Sequence, residues 1–199
     1  MCAVASRCAR CPAVCACRGR RRRAVPGRGG DDGRVPHPRP DRPGPGQESV
    51  WDYPRPPRAE PDHRRARLRH GGVLVADTAD LVRVLETSHP PTFYLPRAAF
   101  GEHLRPGGRT TVCEWKGVAR YVELLVEGAE PVPAVGWWYP EPDRRYPSLR
   151  DRVAVYPGLL DEITLDGERV RPQPGGFYGG WVTDDVAGPF KGGPGSWGW

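Results

Sequence analysis

Short runs of aliphatic, β-branched and aromatic residues alternate with Pro and Gly along the chain from Glu48 to Trp199. This part holds 18 of the 25 Pro and 19 of the 26 Gly residues, and both residue types interrupt helical hydrogen bonding. The residues between these breaks are of the types that favour β-strands. The predicted strands are residues 66–70, 73–77, 81–86, 92–95, 110–114, 119–127, 132–139, 153–156, 162–165 and 168–170.

Turn residues join some of these strands into hairpins. Gly71-Gly72 suits a two-residue turn between the first two strands, and Asp166-Gly167 suits a turn between the last two. Residues 97–104 predict one short helix, and residues 148–151 form at most one helical turn. We therefore expect a mainly β domain, a small antiparallel barrel or sandwich with one or two short helices.

The last 26 residues, 174–199, have a different composition, which includes nine Gly, three Pro and six aromatic residues. They contain too many aromatic residues for a plain linker and too much Gly for regular strands. We predict that this segment, the C-terminal strap, lies across the sheet with Trp181, Phe190 and Trp197 as its buried residues.

Residues 1–47 contain no aromatic residue, no Leu and no Ile, and their 11 Arg and three Asp give a net charge of +8. Such a segment has too little apolar surface to offset its chain entropy by burial. We predict a disordered tail over residues 1–47 and a single β domain over residues 48–199, which carries a net charge of −2. An alternative hypothesis is that the tail is a start-site artefact, encoded by GC-rich DNA upstream of the true start codon.

The tail contains two patterns that suggest partners. A basic run is able to bind nucleic-acid phosphates, although a solvated tail is the favoured interpretation; the run is Arg20, Arg21, Arg22 and Arg23. Five of the six Cys residues lie in the first 17 positions, but without the spacer and apolar core of a zinc site, so we predict no metal and no cofactor.

The sequence shows neither a signal-peptide pattern nor an apolar run of about 20 residues, so we expect a cytosolic protein without membrane contact.

The part after the tail resembles a known family. The residues that carry the resemblance are Glu48-Ser49-Val50-Trp51-Asp52-Tyr53-Pro54-Arg55-Pro56-Pro57, Glu86-Thr87-Ser88-His89-Pro90-Pro91-Thr92, Cys113-Glu114-Trp115-Lys116-Gly117, Trp138-Tyr139-Pro140, Pro174-Gly175-Gly176-Phe177-Tyr178-Gly179-Gly180-Trp181, and the segment from Phe190 to Trp199. In this order they are similar to bacterial proteins of the family named domain of unknown function 427, over residues 48–199.

The resemblance implies a compact β domain similar to the β-tent fold of methionine sulfoxide reductase B. Metal-binding members of that fold use paired Cys residues, whereas this domain has only Cys113, so the expected fold is without zinc. A nucleotidyltransferase label is also attached to the family. The motif for that chemistry is a Gly-Ser turn before the Mg²⁺-binding carboxylates, but here Gly195-Ser196 follows Asp184-Asp185, so the residues give this activity little support.

The domain contains a few polar residues able to carry chemistry. His89 precedes Pro90-Pro91, which stiffens the chain and would hold the imidazole in place, either in a site or as a structural loop residue. If residues 110–116 form one strand, Cys113 and Trp115 share one face and Glu114 pairs with Lys116 on the other. Cys113 is then a buried, unreactive thiol, unless a bend at Gly117 brings Lys116 to it.

Alternation along residues 137–139 places Trp138 on one face of its strand and Trp137 and Tyr139 on the other. One face belongs to the core, and the other is able to form the floor of a pocket. We predict a small-molecule pocket formed by His89, Tyr94, Cys113, Lys116, Trp138 and Tyr139. The alternatives are a protein-interaction module that uses the C-terminal strap and, with the least support, nucleotidyl transfer. The residues do not distinguish an enzyme from a binding protein.

Overall fold

The computed structural model describes residues 38–199, which all belong to one compact unit. The predicted disorder of most of the tail, its cysteines and its Arg run lie outside the described residues. Among the residues described, no helix is long and apolar enough to cross a membrane.

The described chain is built from short strands. They are β1 (Glu48–Ser49), β2 (Arg58–Asp62), β3 (Ala66–His70), β4 (Val73–Thr78), β5 (Leu81–Leu85), β6 (Thr92–Pro96), β7 (Leu104–Cys113), β8 (Gly117–Leu124), β9 (Val132–Trp138), β10 (Arg152–Val155), β11 (Glu162–Leu165), β12 (Glu168–Arg169), β13 (Arg171–Pro172), β14 (Trp181–Val182) and β15 (Val186–Ala187). Three 3-10 helices lie between them, at Arg97–Phe100, Pro147–Leu149 and Pro157–Leu159.

The mainly β class and both predicted hairpins are confirmed, because β3 pairs with β4 and β11 pairs with β12 in antiparallel fashion. The predicted helix over residues 97–104 is shorter: Arg97–Phe100 forms a 3-10 helix, and the next strand already begins at Leu104. The described residues contain three 3-10 helices rather than the one or two short helices expected. Each lies beside Pro or Gly, residues that prevent a longer helix.

Seven strands form one antiparallel sheet in the order β2-β5-β6-β10-β9-β8-β7. The sheet does not close into a barrel, since β2 and β7 are its two edges. The edge strand β7 changes its register with β8 between Pro106 and Thr110, where Gly107-Gly108 forms an irregularity. A second antiparallel sheet, in the order β12-β11-β3-β4, packs on one face of the large sheet. The similarity to the β-tent fold remains a prediction.

The main core lies between the two sheets. The large sheet contributes side chains such as Phe93, Leu95 and Val153, and the small sheet contributes Leu68 and Ile163. Because neighbouring residues of a strand point to opposite faces, the residues between them in sequence, such as Tyr94 and Ala154, lie on the other face of the large sheet. That second face carries a separate apolar cluster and, as described below, a cavity.

The C-terminal strap packs along the domain. Trp181 is fully buried in the main core, with its ring centroid 4.9 Å from that of Phe93. Phe190 packs against a third cluster around Val50. The prediction for Trp197 was wrong: its side chain is 67% exposed, although the preceding residue, Ser196, is buried.

The described residues before Glu48 contact the strap. The backbone N–H of Asp41 donates to the Gly188 carbonyl at 2.8 Å, and the Gln47 side-chain amide donates to the Asp184 carbonyl at 2.7 Å. Immediately afterwards, β1 pairs in parallel with β15. The hydrogen bonding of the domain therefore extends to Asp41, within the segment whose composition predicts a tail.

Candidate functional site

A cavity of about 500 Å³ lies on the second face of the large sheet. Its floor comes from the middle strands, and the β7–β8 turn and the strap residues Phe177, Tyr178 and Gly179 form its walls. Eight aromatic side chains line the cavity. They are Tyr94, Trp115, Tyr121, Trp137, Tyr139, Tyr156, Phe177 and Tyr178.

The structure brings together five of the six residues that we predicted for the pocket. His89, Tyr94, Cys113, Lys116 and Tyr139 all line the cavity. They come from the β5–β6 loop, from β6, from the β7–β8 hairpin and from the end of β9, segments that are distant in sequence.

Trp138 does not line the cavity. It lies on the opposite face of β9, where it packs against the main core, and the guanidinium carbon of Arg97 stands 4.2 Å from the centroid of its ring. Trp137 takes the place that we had given to Trp138, since strand alternation puts it on the same face as Tyr139. The alternation of side chains along residues 137–139 was predicted correctly. The error was to place the adjacent residues Trp138 and Tyr139 in the same pocket, since neighbouring residues of a strand point to opposite faces.

Tyr94, Tyr139 and Trp137 form a buried cluster on the cavity floor. The indole N–H of Trp137 donates to the Tyr94 hydroxyl at 3.2 Å, and the rings of Tyr94 and Tyr139 lie 6.4 Å apart, centroid to centroid. Burial raises the pKa of both tyrosines above its ordinary value, and for Tyr139 the proximity of Tyr94 and Cys113 adds to the effect. Both phenols are therefore neutral at physiological pH and keep their hydroxyl protons.

The β7–β8 turn places Lys116 at the charged end of the cavity. β7 ends at Cys113, which pairs with Gly117, so Glu114, Trp115 and Lys116 form the turn. Gly117 has a φ of 98°, which L-residues with a side chain rarely adopt, and the sharp turn depends on it. The prediction that Glu114 pairs with Lys116 was wrong for this reason, because it required one continuous strand.

Glu86 is the acidic residue that Lys116 approaches. Its Oε2 lies 4.0 Å from Lys116 Nζ, and its Oε1 accepts a hydrogen bond from Arg55 at 3.0 Å. Lys116 is only 8% exposed. None of the hydrogen bonds within residues 38–199 is made by its ammonium, which has three donors, and its Nζ keeps some solvent-accessible surface.

His89 is held in one orientation by the β5–β6 loop. Its Nδ1 lies 2.9 Å from the Thr87 carbonyl, which only accepts, so the neutral ring carries its proton on Nδ1 and leaves Nε2 free to accept. Its ring contacts Tyr178 edge-on at 4.6 Å. Burial lowers the pKa of His89, and the charges of Lys191 and Arg55 lower it further, against the opposing effect of Glu86.

Several lining residues were not predicted from the sequence. Arg55, Phe177 and Tyr178 belong to motifs of the family resemblance but show no strand pattern of their own, and Glu86 ends the predicted strand 81–86 without having been assigned to a site. Arg109 lies beside the irregularity of β7, with its guanidinium carbon 4.4 Å from the ring centroid of Tyr121. Two unselected residues were detectable from the sequence: Trp137, which alternation puts on the face of Tyr139, and Trp115, which was expected on the face of Cys113.

Asp184 and Asp185, the adjacent acidic residues of the strap, are each held by an arginine. Asp184 pairs with Arg171 at 2.7 Å, and Asp185 pairs with Arg64 at 2.5 Å. In the part of the chain that the structure describes, no three His, Cys, Asp or Glu side chains cluster so as to hold a metal ion.

These features define a class of protein: a mainly β domain whose open antiparallel sheet has its core on one face and an aromatic cavity on the other. The chain belongs to the family described as domain of unknown function (DUF427), whose model matches residues 58–166. That range includes most of the cavity, but not Arg55 or the strap residues. No curated protein matches the chain.

Proposed function

We propose that the domain binds a small, planar organic molecule in the cavity on the second face of the large sheet. The observation that carries this proposal is the cavity itself, whose volume of about 500 Å³ lies within the range typical of ligand sites. The apolar rings that line this open cavity face solvent, so a ligand that covers them gains the free energy of burying apolar surface.

The chemistry of the lining supports a ligand with flat faces. Aromatic rings stack on planar molecules, and the buried phenols of Tyr94 and Tyr139 offer hydrogen bonds at the floor. The five predicted residues that line this cavity supply a hydroxyl pair, a thiol, an imidazole and an ammonium. Few polar groups in an aromatic cavity are the usual arrangement for selective binding of a small molecule.

Calorimetric titration of the full chain with 2-naphthamide, a neutral planar probe, tests the proposal. We expect binding, and we expect Trp137→Leu to weaken it about tenfold by removing one stacking surface. Trp51→Leu is the matched control, because Trp51 belongs to a different cluster and does not line the cavity. Absence of binding, or equal weakening by both substitutions, would contradict a cavity-based function.

The second candidate function, protein interaction through the strap, is favoured by one observation. Phe177 and Trp197 are 59% and 67% exposed and stack edge-on with their centroids 6.0 Å apart. Exposed aromatic pairs of this kind are typical of interaction surfaces. Trp197→Ser separates the two functions: it leaves 2-naphthamide binding unchanged if the cavity is the functional site, and abolishes copurification of a partner if the strap is.

A further inference from the structure

We propose that the ligand carries an anionic oxo-acid group, a carboxylate or a phosphate, and that Lys116 and Arg55 bind this group at the charged end of the cavity. The inference rests on the proposed function, because it names the chemical class of the molecule that the cavity takes. It concerns one end of the site only, so the planar part and the anionic part of the ligand are tested separately.

Lys116 is a largely buried lysine whose ammonium makes no hydrogen bond to the described residues. The side chain is nine-tenths buried, lines the cavity and has its nearest anionic oxygen at 4.0 Å, too far for a hydrogen bond. Because the ammonium keeps some solvent-accessible surface, its three donors are available to a molecule in the cavity. The oxygen atoms of a bound anion would accept hydrogen bonds from these donors.

Positive charges outnumber negative ones around Glu86. Its carboxylate makes a hydrogen bond with Arg55 and is also the nearest acid to Lys116, so one negative charge serves two positive ones. A third cation, Lys191, lies close enough to affect the pKa of His89, as Arg55 does. The Lys191 ammonium already has a partner, because it donates to an oxygen of Trp199, the last residue of the chain, at 2.5 Å. An anion bound here relieves the repulsion between Arg55 and Lys116.

The charged residues and the aromatic floor lie in one cavity. Arg55, Glu86 and Lys116 line the same cavity as the aromatic floor, so a ring on the floor and an acid group at this end fit within one small molecule. Arg55 has a side chain that is 46% exposed, so it is free to turn from Glu86 toward a ligand. Guanidinium and ammonium groups are the usual protein partners of carboxylate and phosphate.

The test compares three probes that share one ring system: 2-naphthamide, 2-naphthoate and 2-naphthyl phosphate. Calorimetric titration of the full chain is expected to show that at least one anion binds about tenfold or more tightly than the amide, with an advantage that declines as salt is added. The tighter of the two anions distinguishes a carboxylate ligand from a phosphate ligand.

Three variants locate the effect. Lys116→Met should remove most of the advantage of the anions, measured as the ratio of anion affinity to 2-naphthamide affinity within the same variant. Arg150→Met removes the same charge from an exposed residue outside the cavity, and should leave the advantage intact. Glu86→Gln should strengthen anion binding, because it frees Arg55 and Lys116, and a gain in affinity does not arise from misfolding.

The outcomes separate the two proposals. If all three probes bind with equal affinity, the cavity proposal stands and the anion site is wrong. If the anions are favoured but Lys116→Met and Arg150→Met have the same effect, the advantage comes from the overall field of the protein and the site is again wrong. If none of the probes binds, the cavity proposal falls and the anion site falls with it.

Discussion

His89 is a cavity residue whose protonation state changes with pH. Its ring is buried, its Nδ1 is bound to Thr87, and the groups that face it are the charges of Glu86, Arg55 and Lys191 and the ring of Tyr178. Burial lowers its pKa below the ordinary value of 6.5. The unfolded chain therefore takes up this proton at a higher pH than the native protein does.

We predict that this group destabilises the protein in mild acid. Above about pH 6.5 the ring is neutral in both the folded and the unfolded protein, and the free energy of unfolding is unaffected. As the pH falls from there toward the lower pKa of the folded state, the unfolded chain takes up the proton first, so the free energy of unfolding decreases. Urea unfolding at pH 7.5 and 5.5 measures the loss, and His89→Gln should reduce it. An NMR titration in which the His89 midpoint lies above 6.5 would contradict the prediction.

At the scale of one residue, the sequence predicted chemistry better than position. His89, Tyr94, Cys113, Lys116 and Tyr139 were selected for their functional groups, and all five line the cavity. The partner of Lys116 was not predictable, because Glu86 reaches it only through the packing of the β5–β6 loop against the β7–β8 turn. Ion pairs between segments distant in sequence depend on tertiary structure, which strand periodicity does not describe.

At the scale of elements, the pairing of β9 with β10 depends on Gly136. A Cβ added there would overlap the carbonyl oxygen of Ala154 and lie 3.1 Å from the Val155 Cα, and both are backbone atoms of a central strand that cannot move aside. The residue has no unusual φ, so the requirement is steric.

We predict that Gly136→Ala lowers the free energy of unfolding by about 1–3 kcal/mol, the usual cost of overpacking. Gly108→Ala is the matched control, since a Cβ at Gly108 in β7 meets no atom within 4 Å. Denaturant unfolding of both variants measures the difference. Similar stabilities for the two would show that the β9–β10 pair is looser than its backbone contacts indicate.

The packing of the strap determines where the folded domain ends along the chain. Trp181 is fully buried and Trp197 is mostly exposed, although both are tryptophans of the same Gly-rich segment. We predict that Trp181→Ala lowers the free energy of unfolding by about 3–5 kcal/mol, whereas Trp197→Ala changes it little. Thermal unfolding followed by circular dichroism compares the two variants.

Truncation after Gly180 extends this prediction to the whole strap. It removes Trp181 and also β15, the parallel partner of β1, so the loss approaches the total stability of a small domain, about 5–15 kcal/mol. The truncated protein should be insoluble or lack a cooperative transition. A cooperatively melting protein that ends at Gly180 would refute the role of the strap.

At this scale the sequence was informative about strands and hairpins, because Gly and Pro mark the turns between them. It was less informative about β2, whose residues Arg58, Glu60 and Asp62 are charged although the strand pairs along its full length with β5. Edge strands carry charged residues more readily than central strands do, so their hydrophobic pattern is weak.

At the scale of the whole molecule, the structure refines the limit between tail and domain. Composition alone predicts that removal of residues 1–46 has no effect on stability, since no aromatic residue, Leu or Ile is lost. The hydrogen bonds of Asp41 and Gln47 with the strap change that expectation for residues 38–47.

We predict that deletion of residues 1–37 leaves the melting temperature unchanged, whereas deletion of residues 1–47 lowers the free energy of unfolding by about 1–2 kcal/mol, as two hydrogen bonds are lost. Thermal unfolding of the two deletion variants measures both effects. Equal melting temperatures for the two would show that the contacts of Asp41 and Gln47 contribute nothing to stability.

The open edge of the large sheet has a consequence for behaviour at high concentration. The outer edge of a ten-residue strand such as β7, which pairs with β8 on its other side, is a template on which strands of other molecules can assemble into aggregates. Here Pro106 offers no backbone N–H, Gly107-Gly108 breaks the register, and Arg105 and Arg109 add charge to the same stretch. We expect the irregularity beside Arg109, a residue of the cavity wall, also to disfavour intermolecular β-pairing at this open edge.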